Sequence, residues 1–296
     1  MRTKFLYPGT PQEASRLLLH AEEAVPIAGG TDLSILMKKK ALQPPYVVNL
    51  TGLGWNYRYI DEQVIHIGAT STFTEILSTA FIRETVPVLY QACAQIGSLQ
   101  CRSMATIGGN LCSAVPSADS ATPLLALDAR VKLVSADETR TVPLNEFFKG
   151  PRKTALKRGE LMQEIQIPVP LQDSLGTFLK FGRRKALTLS VVNVAVHAAP
   201  NGPSDGIPNI RIALGAVAPT PIRATRAEEV LTAKPATSDQ IDKAVAIALT
   251  EIAPISDLRA SKEYRLDISR ILLQRALQEI VERAHSPYRG QYPHAL

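Results

Sequence analysis

The sequence is poor in cysteine, in aromatic residues and in long apolar runs, and each shortage excludes a class of protein. Three cysteines among 296 residues, with no CxxC pair, are too few for a disulfide framework or a four-thiolate metal site. Aromatic residues make up only 5%, which leaves few stacking platforms for nucleic acid. The longest mostly apolar stretch, residues 189–199, is too short to cross a bilayer. We therefore expect no nucleic-acid partner and no membrane span.

What remains is the ordinary balance of a globular chain, with 45% apolar residues, 20% charged residues and a net charge of +6. The basic residues are scattered, so we interpret them as solvated surface that could also help docking to an acidic partner subunit. Pro8 and Gly9 interrupt the N-terminus before an apolar signal segment develops. Free cysteines are typical of a reducing compartment, and we expect a cytoplasmic protein.

The order of the expected helices and strands favours an α+β fold. Thr72 and Glu75 have capping-box spacing and open a helix, and Ser261 is a reasonable N-cap for the last helix. The apolar residues of that last helix recur every four positions: Ile268, Leu272, Ala276 and Ile280. Helices are expected at 11–19, 32–39 and 85–96, and strands at 25–27, 46–49, 64–68, 131–134, 165–169, 177–181, 190–197 and 210–217.

Two glycine pairs follow apolar or hydroxyl residues and lead into predicted helices. In the first, the strand 25–27 runs into Gly29 and Gly30, followed by Thr31. The second has the order Thr-Ile-Gly-Gly-Asn at 106–110. Glycine permits positive φ and close approach of a ligand, and N–H groups at a helix start lack internal partners. Each pair therefore predicts an anion site suited to phosphate, although a single pair is often only a tight turn.

Asp119 lies nine residues after Asn110 and would make a good N-cap, with Pro123 at the fourth helical position. Because a carboxylate repels phosphate, Asp119 near a ligand should accept hydrogen bonds from hydroxyls or a ring N–H. A ligand whose pyrophosphate meets the glycines and whose sugar or ring meets Asp119 is a dinucleotide. Neither glycine pair is the GxGxxG fingerprint or a P-loop, so the residues alone indicate a phosphate-containing cofactor held by two loops.

The same segments carry a resemblance to a known family. AGGTDL at 28–33 and TIGGNLCSAVPSADSATP at 106–123 resemble the pyrophosphate loops of the FAD-binding subunits of molybdenum hydroxylases. These are the relatives of xanthine, nicotinate and carbon monoxide dehydrogenases. Further stretches at 180–184, 214–223 and 259–265 are similar to family patterns, so the resemblance covers essentially the whole chain.

The resemblance implies a two-lobed FAD-binding domain of the PCMH/vanillyl-alcohol-oxidase-like kind at 1–172, with lobes of about 1–56 and 57–172. An α+β domain with an antiparallel sheet and helices would follow at 173–296. FAD would lie between the lobes with its pyrophosphate over both glycine loops. The implied cofactor-binding residues are Pro26, Ile27, Ala28, Gly29, Gly30, Thr31, Asp32, Leu33, Thr106, Ile107, Gly108, Gly109, Asn110, Asp119 and Lys180.

Within that set, the resemblance implies a contact of Asp119 with the flavin moiety and a position of Lys180 beside the flavin ring. A cation there would stabilise the anionic reduced flavin and tune its potential. The alternative for Lys180 is a strand residue that faces solvent. The chain departs from the family pattern at two places. Residues 100–103 are Gln-Cys-Arg-Ser instead of the usual Gln-Ile-Arg-Asn, and Ile96 stands about where animal xanthine dehydrogenases have a phenylalanine on the flavin, so aromatic stacking on the ring is not expected.

The implied function is an electron-transfer flavoprotein subunit of a heteromeric molybdenum hydroxylase, with xanthine dehydrogenase as the nearest branch on the pattern at 117–123. A molybdopterin large subunit would oxidise the substrate, and a small subunit with 2Fe–2S clusters would deliver electrons to FAD, which could reduce NAD⁺. No catalytic or metal-ligating residue is expected on this chain. The alternatives are a nicotinate or carbon monoxide dehydrogenase type, a stand-alone flavin oxidase, and a scaffold that has lost FAD.

Overall fold

A computed structural model of the chain describes residues 3–21, 23–184, 187–199, 207, 209–233 and 236–285. The chain divides into two units that alternate along the sequence. The N-terminal unit comprises Met1–Ala80, Ile96–Val115 and Asp128–Pro168. The C-terminal unit comprises Phe81–Gln95, Pro116–Leu127 and Val169–Leu296. The expected boundary at residue 172 stays a prediction.

The first sheet of the N-terminal unit is parallel and small. Its elements are β1 (Lys4–Leu6), α1 (Pro11–His20), β2 (Val25–Ile27), α2 (Leu33–Lys38) and β3 (Tyr46–Asn49), followed by a 3₁₀ turn at Thr51–Leu53. The strand order is β1-β3-β2, so β3 lies in the middle, where Val47 and Val48 are buried. The predicted strands at 25–27 and 46–49 are confirmed, and the predicted helix 32–39 is one residue shorter at each end.

The second sheet of this unit is antiparallel, with the order β4-β5-β10-β6-β7. In β5, Ile65 and Ile67 are buried and their neighbours Val64 and His66 are half-buried, which agrees with the alternating pattern that predicts a strand at Val64–Gly68. The predicted strand 165–169 starts earlier in the structure, at Leu161, and ends at Pro168. The elements from residue 58 to 168 are β4 (Arg58–Ile60), β5 (Val64–Gly68), α3 (Phe73–Leu77), α4 (Ala80–Thr85), α5 (Pro87–Ala94), α6 (Leu99–Met104), α7 (Ile107–Cys112), α8 (Ala121–Ala126), β6 (Arg130–Val134), β7 (Thr139–Pro143), α9 (Leu144–Phe147), β8 (Phe148–Gly150), β9 (Lys153–Thr154) and β10 (Leu161–Pro168).

Local signals fixed two helix boundaries in this stretch. The capping box at Thr72 and Glu75 is present, with both reciprocal hydrogen bonds formed. The helix expected at 85–96 is shorter in the structure and begins at Pro87. Proline is favoured in a first helical turn because it lacks the N–H that would have no partner there.

The C-terminal unit is built on one antiparallel sheet with the order β11-β12-β13-β14. Its elements beyond residue 169 are β11 (Leu175–Gly182), β12 (Ser190–Ala198), β13 (Arg211–Gly215), β14 (Ile222–Arg223), α10 (Thr225–Ala233), α11 (Ser238–Glu251) and α12 (Lys262–His285). In α12 the predicted stripe is confirmed, because Leu272, Ala276 and Ile280 are buried in the core of this unit. Ser261 Oγ accepts from Tyr264 N at 3.1 Å, as expected of the N-cap.

These elements confirm the α+β assignment. Among the helices that the structure describes, none is both long and apolar enough to cross a membrane.

A buried carboxylate on β10, that of Glu164, links this strand to His66 of β5 and to Tyr57, the residue before β4. Glu164 accepts hydrogen bonds from Tyr57 Oη and Gln166 Nε2, each at 2.7 Å, and lies 3.0 Å from His66 Nδ1. Burial alone would raise the pKa of Glu164, but these hydrogen bonds to the charged form hold the pKa below its ordinary value. Burial and the bond to Glu164 raise the pKa of Tyr57.

We predict that this carboxylate makes the fold sensitive to acid. Because its pKa is lower in the folded than in the unfolded chain, Glu164 stabilises the fold above its ordinary pKa of 4.5, and that contribution is lost as the pH falls through the folded value. Urea unfolding from about pH 6 to about pH 3 should therefore show a smaller loss of stability in Glu164→Gln than in wild type.

The exposed Glu146 supplies the matched control, Glu146→Gln. An acid dependence that is the same in the Glu164 variant as in wild type would contradict the prediction.

Candidate functional site

A cleft with a volume of about 300 Å³ lies in the N-terminal unit, lined by both glycine turns. All eight residues predicted for the first turn line it, together with four of the five predicted for the second. The exception is Ile107, whose side chain is fully buried in the core. The lining residues among those predicted are Pro26, Ile27, Ala28, Gly29, Gly30, Thr31, Asp32, Leu33, Thr106, Gly108, Gly109 and Asn110.

The first turn lines this cleft and includes residues whose backbone N–H groups are not used in the fold of the described residues. Gly30 has a φ of +71°, a left-handed conformation that favours glycine. Within the described residues, no hydrogen bond uses the N–H groups of Gly29, Gly30 or Thr31 as donors. Buried or half-buried N–H groups without partners are rare in folded proteins, so this turn fits an anionic oxygen.

The second turn differs, and one expectation about it is wrong. The N–H groups of Ile107 and Gly108 donate to carbonyl groups of the segment 69–71, at 3.0 and 2.9 Å. The N–H of Gly109 donates to Thr106 Oγ1 at 3.1 Å, the N-cap bond of α7. Because these donors are engaged within the protein, the second turn does not offer the unpartnered N–H groups that were predicted from its pattern.

Two of the four glycines are required by packing. A Cβ atom on Gly29 would lie 1.7 Å from the carbonyl oxygen of Met104, and one on Gly108 would lie 2.6 Å from Ala69. Such distances cannot be relieved without moving backbone. Gly29 and Gly108 thus let the two turns approach neighbouring chain segments, a role separate from ligand access.

Asp32 ties the two turns together. Its Oδ2 atom accepts a hydrogen bond from Ser113 Oγ at 2.9 Å, and Arg152 Nη1 lies 3.3 Å from the same oxygen. Ser113 is the C-cap of α7 and also lines the cleft. Sequence reasoning missed Ser113 and Arg152 because no local pattern links positions so far apart in the chain.

Asp119 and Lys180 belong to the C-terminal unit, where they form a buried ion pair. Lys180 Nζ lies 2.6 Å from Asp119 Oδ2, and the two side chains are 4% and 8% exposed. Asn193 and Ser190 both donate to Asp119 Oδ1, and Lys180 also donates to the carbonyl oxygen of Gln95 at 2.9 Å. The alternative of a solvent-facing Lys180 is therefore wrong.

The predicted N-cap role of Asp119 is also wrong. Helix α8 begins at Ala121 with Ser120 as its N-cap, so Pro123 is the third helical residue instead of the fourth. The carboxylate of Asp119 is engaged by the side chains of β11 and β12, which the sequence pattern could not reveal.

The one cysteine among the described residues that line the cleft, Cys112, is a neutral thiol. Burial raises the pKa of its thiol to about 12, so the thiol is neutral near pH 7. Cys93, Cys101 and Cys112 are free thiols. In the part of the chain that the structure describes, no three metal-type side chains lie together.

Comparisons with known proteins agree on one family. Residues 1–170 match the family "FAD binding domain in molybdopterin dehydrogenase", and residues 177–280 match "CO dehydrogenase flavoprotein C-terminal domain". The chain is 31% identical to the xanthine dehydrogenase FAD-binding subunit of Escherichia coli O157:H7, over 93% of this chain and 94% of that one. It is 33% identical to the nicotinate dehydrogenase FAD-subunit of Eubacterium barkeri, over 94% and 96%.

The solved structures show the same similarity in three dimensions. A chain of carbon monoxide dehydrogenase from Hydrogenophaga pseudoflava superposes with a TM-score of 0.90 at 28% identity, covering 94% of this chain and 96% of that one. The fold and the order of its elements are thus those of a known flavoprotein chain.

We predict that Gly29→Ala destabilises the fold because its Cβ atom would meet the backbone of Met104. The expected loss is about 1–3 kcal/mol in the free energy of unfolding, the usual range for overpacking. Chemical unfolding measures it, and Gly52→Ala is the matched control because nothing lies within 4 Å of the added atom. Equal losses in the two variants would refute the packing role.

Proposed function

The chain belongs to the family of FAD-binding domains of molybdopterin dehydrogenases, and on that premise we propose that it is the flavoprotein subunit of a xanthine dehydrogenase-like molybdenum hydroxylase. It is an oxidoreductase subunit, as are the relatives that match it over most of its length. The purine or other N-heterocyclic substrate is our proposal. The xanthine and nicotinate dehydrogenase relatives, at 31% and 33% identity, support it.

The observation that carries the proposal is the cleft of the N-terminal unit. In its first turn, three backbone N–H groups donate no hydrogen bond to any described residue, and Gly30 has a positive φ, an arrangement that suits the diphosphate of FAD. We propose that the residues of both turns, Pro26–Leu33 and Thr106–Asn110, hold FAD. Bound FAD supplies the ability to take electrons singly and release them in pairs.

The chain's own contribution would be binding, orientation and electrostatics. We propose a small 2Fe–2S subunit as the electron donor and a molybdopterin large subunit as the site of substrate oxidation. Relatives named as a medium chain, among them the glyceraldehyde dehydrogenase medium chain of Sulfolobus acidocaldarius at 33% identity, support a heteromer. NAD⁺ is the proposed final acceptor, and the cytoplasm the proposed compartment.

A second substrate class has support of its own. The carbon monoxide dehydrogenase medium chain of Afipia carboxidovorans is 31% identical to this chain, the same value as the Escherichia coli xanthine dehydrogenase subunit. Because the substrate would be bound by another subunit, the sequence identity of this chain to its relatives says little about which substrate class the complex oxidises. Activity of the whole complex has to decide it.

The decisive experiment is purification of the tagged chain from its native host together with its partners. We expect FAD, molybdenum and iron to copurify, and the complex to oxidise hypoxanthine or nicotinate with a dye or NAD⁺ as acceptor. Oxidation of carbon monoxide alone would favour the second class. A colourless chain without molybdenum or iron partners would overturn the proposal, and turnover by the isolated chain would indicate a stand-alone oxidase.

Gly109→Val is expected to lower FAD affinity by at least about tenfold, because a Cβ atom on this cleft-lining residue would lie 2.8 Å from Thr106 Oγ1 and its two methyl groups would crowd the turn. Flavin absorbance per mole of purified protein measures the bound fraction, and circular dichroism checks the fold. Gly52→Val, in open space, is the control. Unchanged flavin content in Gly109→Val would contradict the assignment of this turn.

We propose that Lys180 acts beside the flavin ring, as the family resemblance implies, so Lys180→Met is expected to lower the midpoint potential of the bound flavin. The change removes a buried cation and leaves the Asp119 carboxylate without its cationic partner, and both effects disfavour an anionic reduced flavin. We expect a shift of about 30 mV or more, equivalent to about 1.4 kcal/mol for a two-electron couple. Lys180→Arg, which keeps the charge, is the control. If the potentiometric titration of Lys180→Met coincides with that of wild type, Lys180 does not tune the flavin potential.

A further inference from the structure

Two buried hydroxyl groups of the N-terminal unit have no hydrogen-bond partner in the described structure, Thr70 Oγ1 and Thr74 Oγ1. Nearly all buried polar groups in folded proteins are hydrogen-bonded, so each exception asks for an explanation. The two threonines differ in one respect. Thr70 lines the cleft between the glycine turns, whereas Thr74 does not.

The backbone around Thr70 is held on every side. Its own N–H donates to the carbonyl oxygen of Trp55 at 3.0 Å. The carbonyl groups of its neighbours Ala69 and Ser71 accept from the N–H groups of α7. The residue is 6% exposed, so its side chain has a fixed place at the wall of the cleft.

The two turns differ in the backbone N–H groups that they leave for a ligand within the described residues. The first turn offers the N–H groups of Gly29 to Thr31, but those of Ile107 to Gly109 are engaged within the protein. The N–H groups of Ile107 and Gly108 donate to Ser71 and Ala69, the two neighbours of Thr70, and the N–H of Gly109 donates to Thr106 Oγ1. The hydroxyl of Thr70 is therefore available where the second turn's N–H groups are not.

We propose that Thr70 is a cofactor-binding residue whose hydroxyl donates a hydrogen bond to an oxygen of the FAD diphosphate. The inference rests on the proposed function, because it takes FAD as the occupant of the cleft. Beside the second glycine turn, the hydrogen bond to the diphosphate would then come from the side chain of Thr70 and not from the backbone N–H groups of that turn.

If the proposal is correct, removal of the Thr70 hydroxyl affects FAD affinity and the stability of the ligand-free protein in different ways. A hydroxyl that is buried without a partner costs the ligand-free protein stability, so its removal should leave the ligand-free fold equally or more stable. The same removal should weaken binding of a ligand that the hydroxyl would otherwise contact. A residue with a purely structural role would lose both together.

The test uses the full-length chain, stripped of flavin and titrated with FAD by fluorescence. Thr70→Val, which keeps the shape, should raise the dissociation constant at least about tenfold, the size of one charge-assisted hydrogen bond. Thr70→Ser, which keeps the hydroxyl, should stay within about threefold of wild type. The melting temperature of ligand-free Thr70→Val should stay equal or rise by about 1–4 °C.

Thr74→Val is the matched control, because it removes a hydroxyl that is also buried and unpartnered but lies outside the cleft lining. Its FAD affinity should equal that of wild type. Thr70→Ala, which also removes the hydroxyl, replaces Thr70→Val if that variant does not fold, with the same expected loss of affinity.

Wild-type affinity in both Thr70→Val and Thr70→Ala would overturn the inference and leave the proposed function intact. An equal loss in Thr74→Val and Thr70→Val would also overturn it, since the effect would then be structural. A wild-type chain that binds no FAD would overturn the proposed function, and this inference with it.

Discussion

The N-terminal unit depends on the close backbone packing of three chain segments around one cleft. The segment after β5 accepts hydrogen bonds from the first N–H groups of α7, and Thr72 pairs with Thr106 in an isolated bridge. The first glycine turn in turn packs so closely on the end of α6 that a single Cβ atom at Gly29 has no room. The shape of the cleft is thus set by main-chain contacts, which side-chain substitutions elsewhere would alter little.

The C-terminal unit depends on a different interaction, a buried network around one carboxylate. Asp119 accepts from Lys180, Ser190 and Asn193, and Asn193 in turn accepts from Thr122 at 2.7 Å. A buried ion pair is tolerable only when its remaining hydrogen-bonding capacity is also used, as it is here. Because a Cβ atom on Gly215 would lie 2.4 Å from Asn193, this network also fixes how closely β12 and β13 lie.

The sequence predicted what is local and missed what is long-range. The capping box at Thr72 and the apolar stripe of α12 depend on residues within a few turns of one another, and both are confirmed. The twelve predicted residues that line the cleft came from two short motifs and a family resemblance. The engaged N–H groups of α7 depend on a pairing with residues 69–71, nearly forty positions away, which no periodicity reveals.

The acidic residues of the cleft are each paired with an arginine, and the sequence motifs did not predict this pairing. Two carboxylates occur among the cleft's described lining residues, Asp32 and Glu160, and each is paired with an arginine. Arg152 lies 3.3 Å from Asp32, and Arg140 lies 2.7 Å from Glu160. The bond from Arg140 holds the pKa of Glu160 below its ordinary value, so this carboxylate is ionised yet neutralised by its partner.

Unpaired carboxylates beside the first glycine turn would repel a diphosphate, and the repulsion would offset the attraction of the backbone N–H groups. With both acids paired, the N–H groups are the uncompensated dipoles that an anionic ligand would meet. The arginines would therefore matter to an anionic ligand through the carboxylates that they pair. Asp32 accepts from Ser113 Oγ, which follows the second turn, while Arg152 offsets its negative charge.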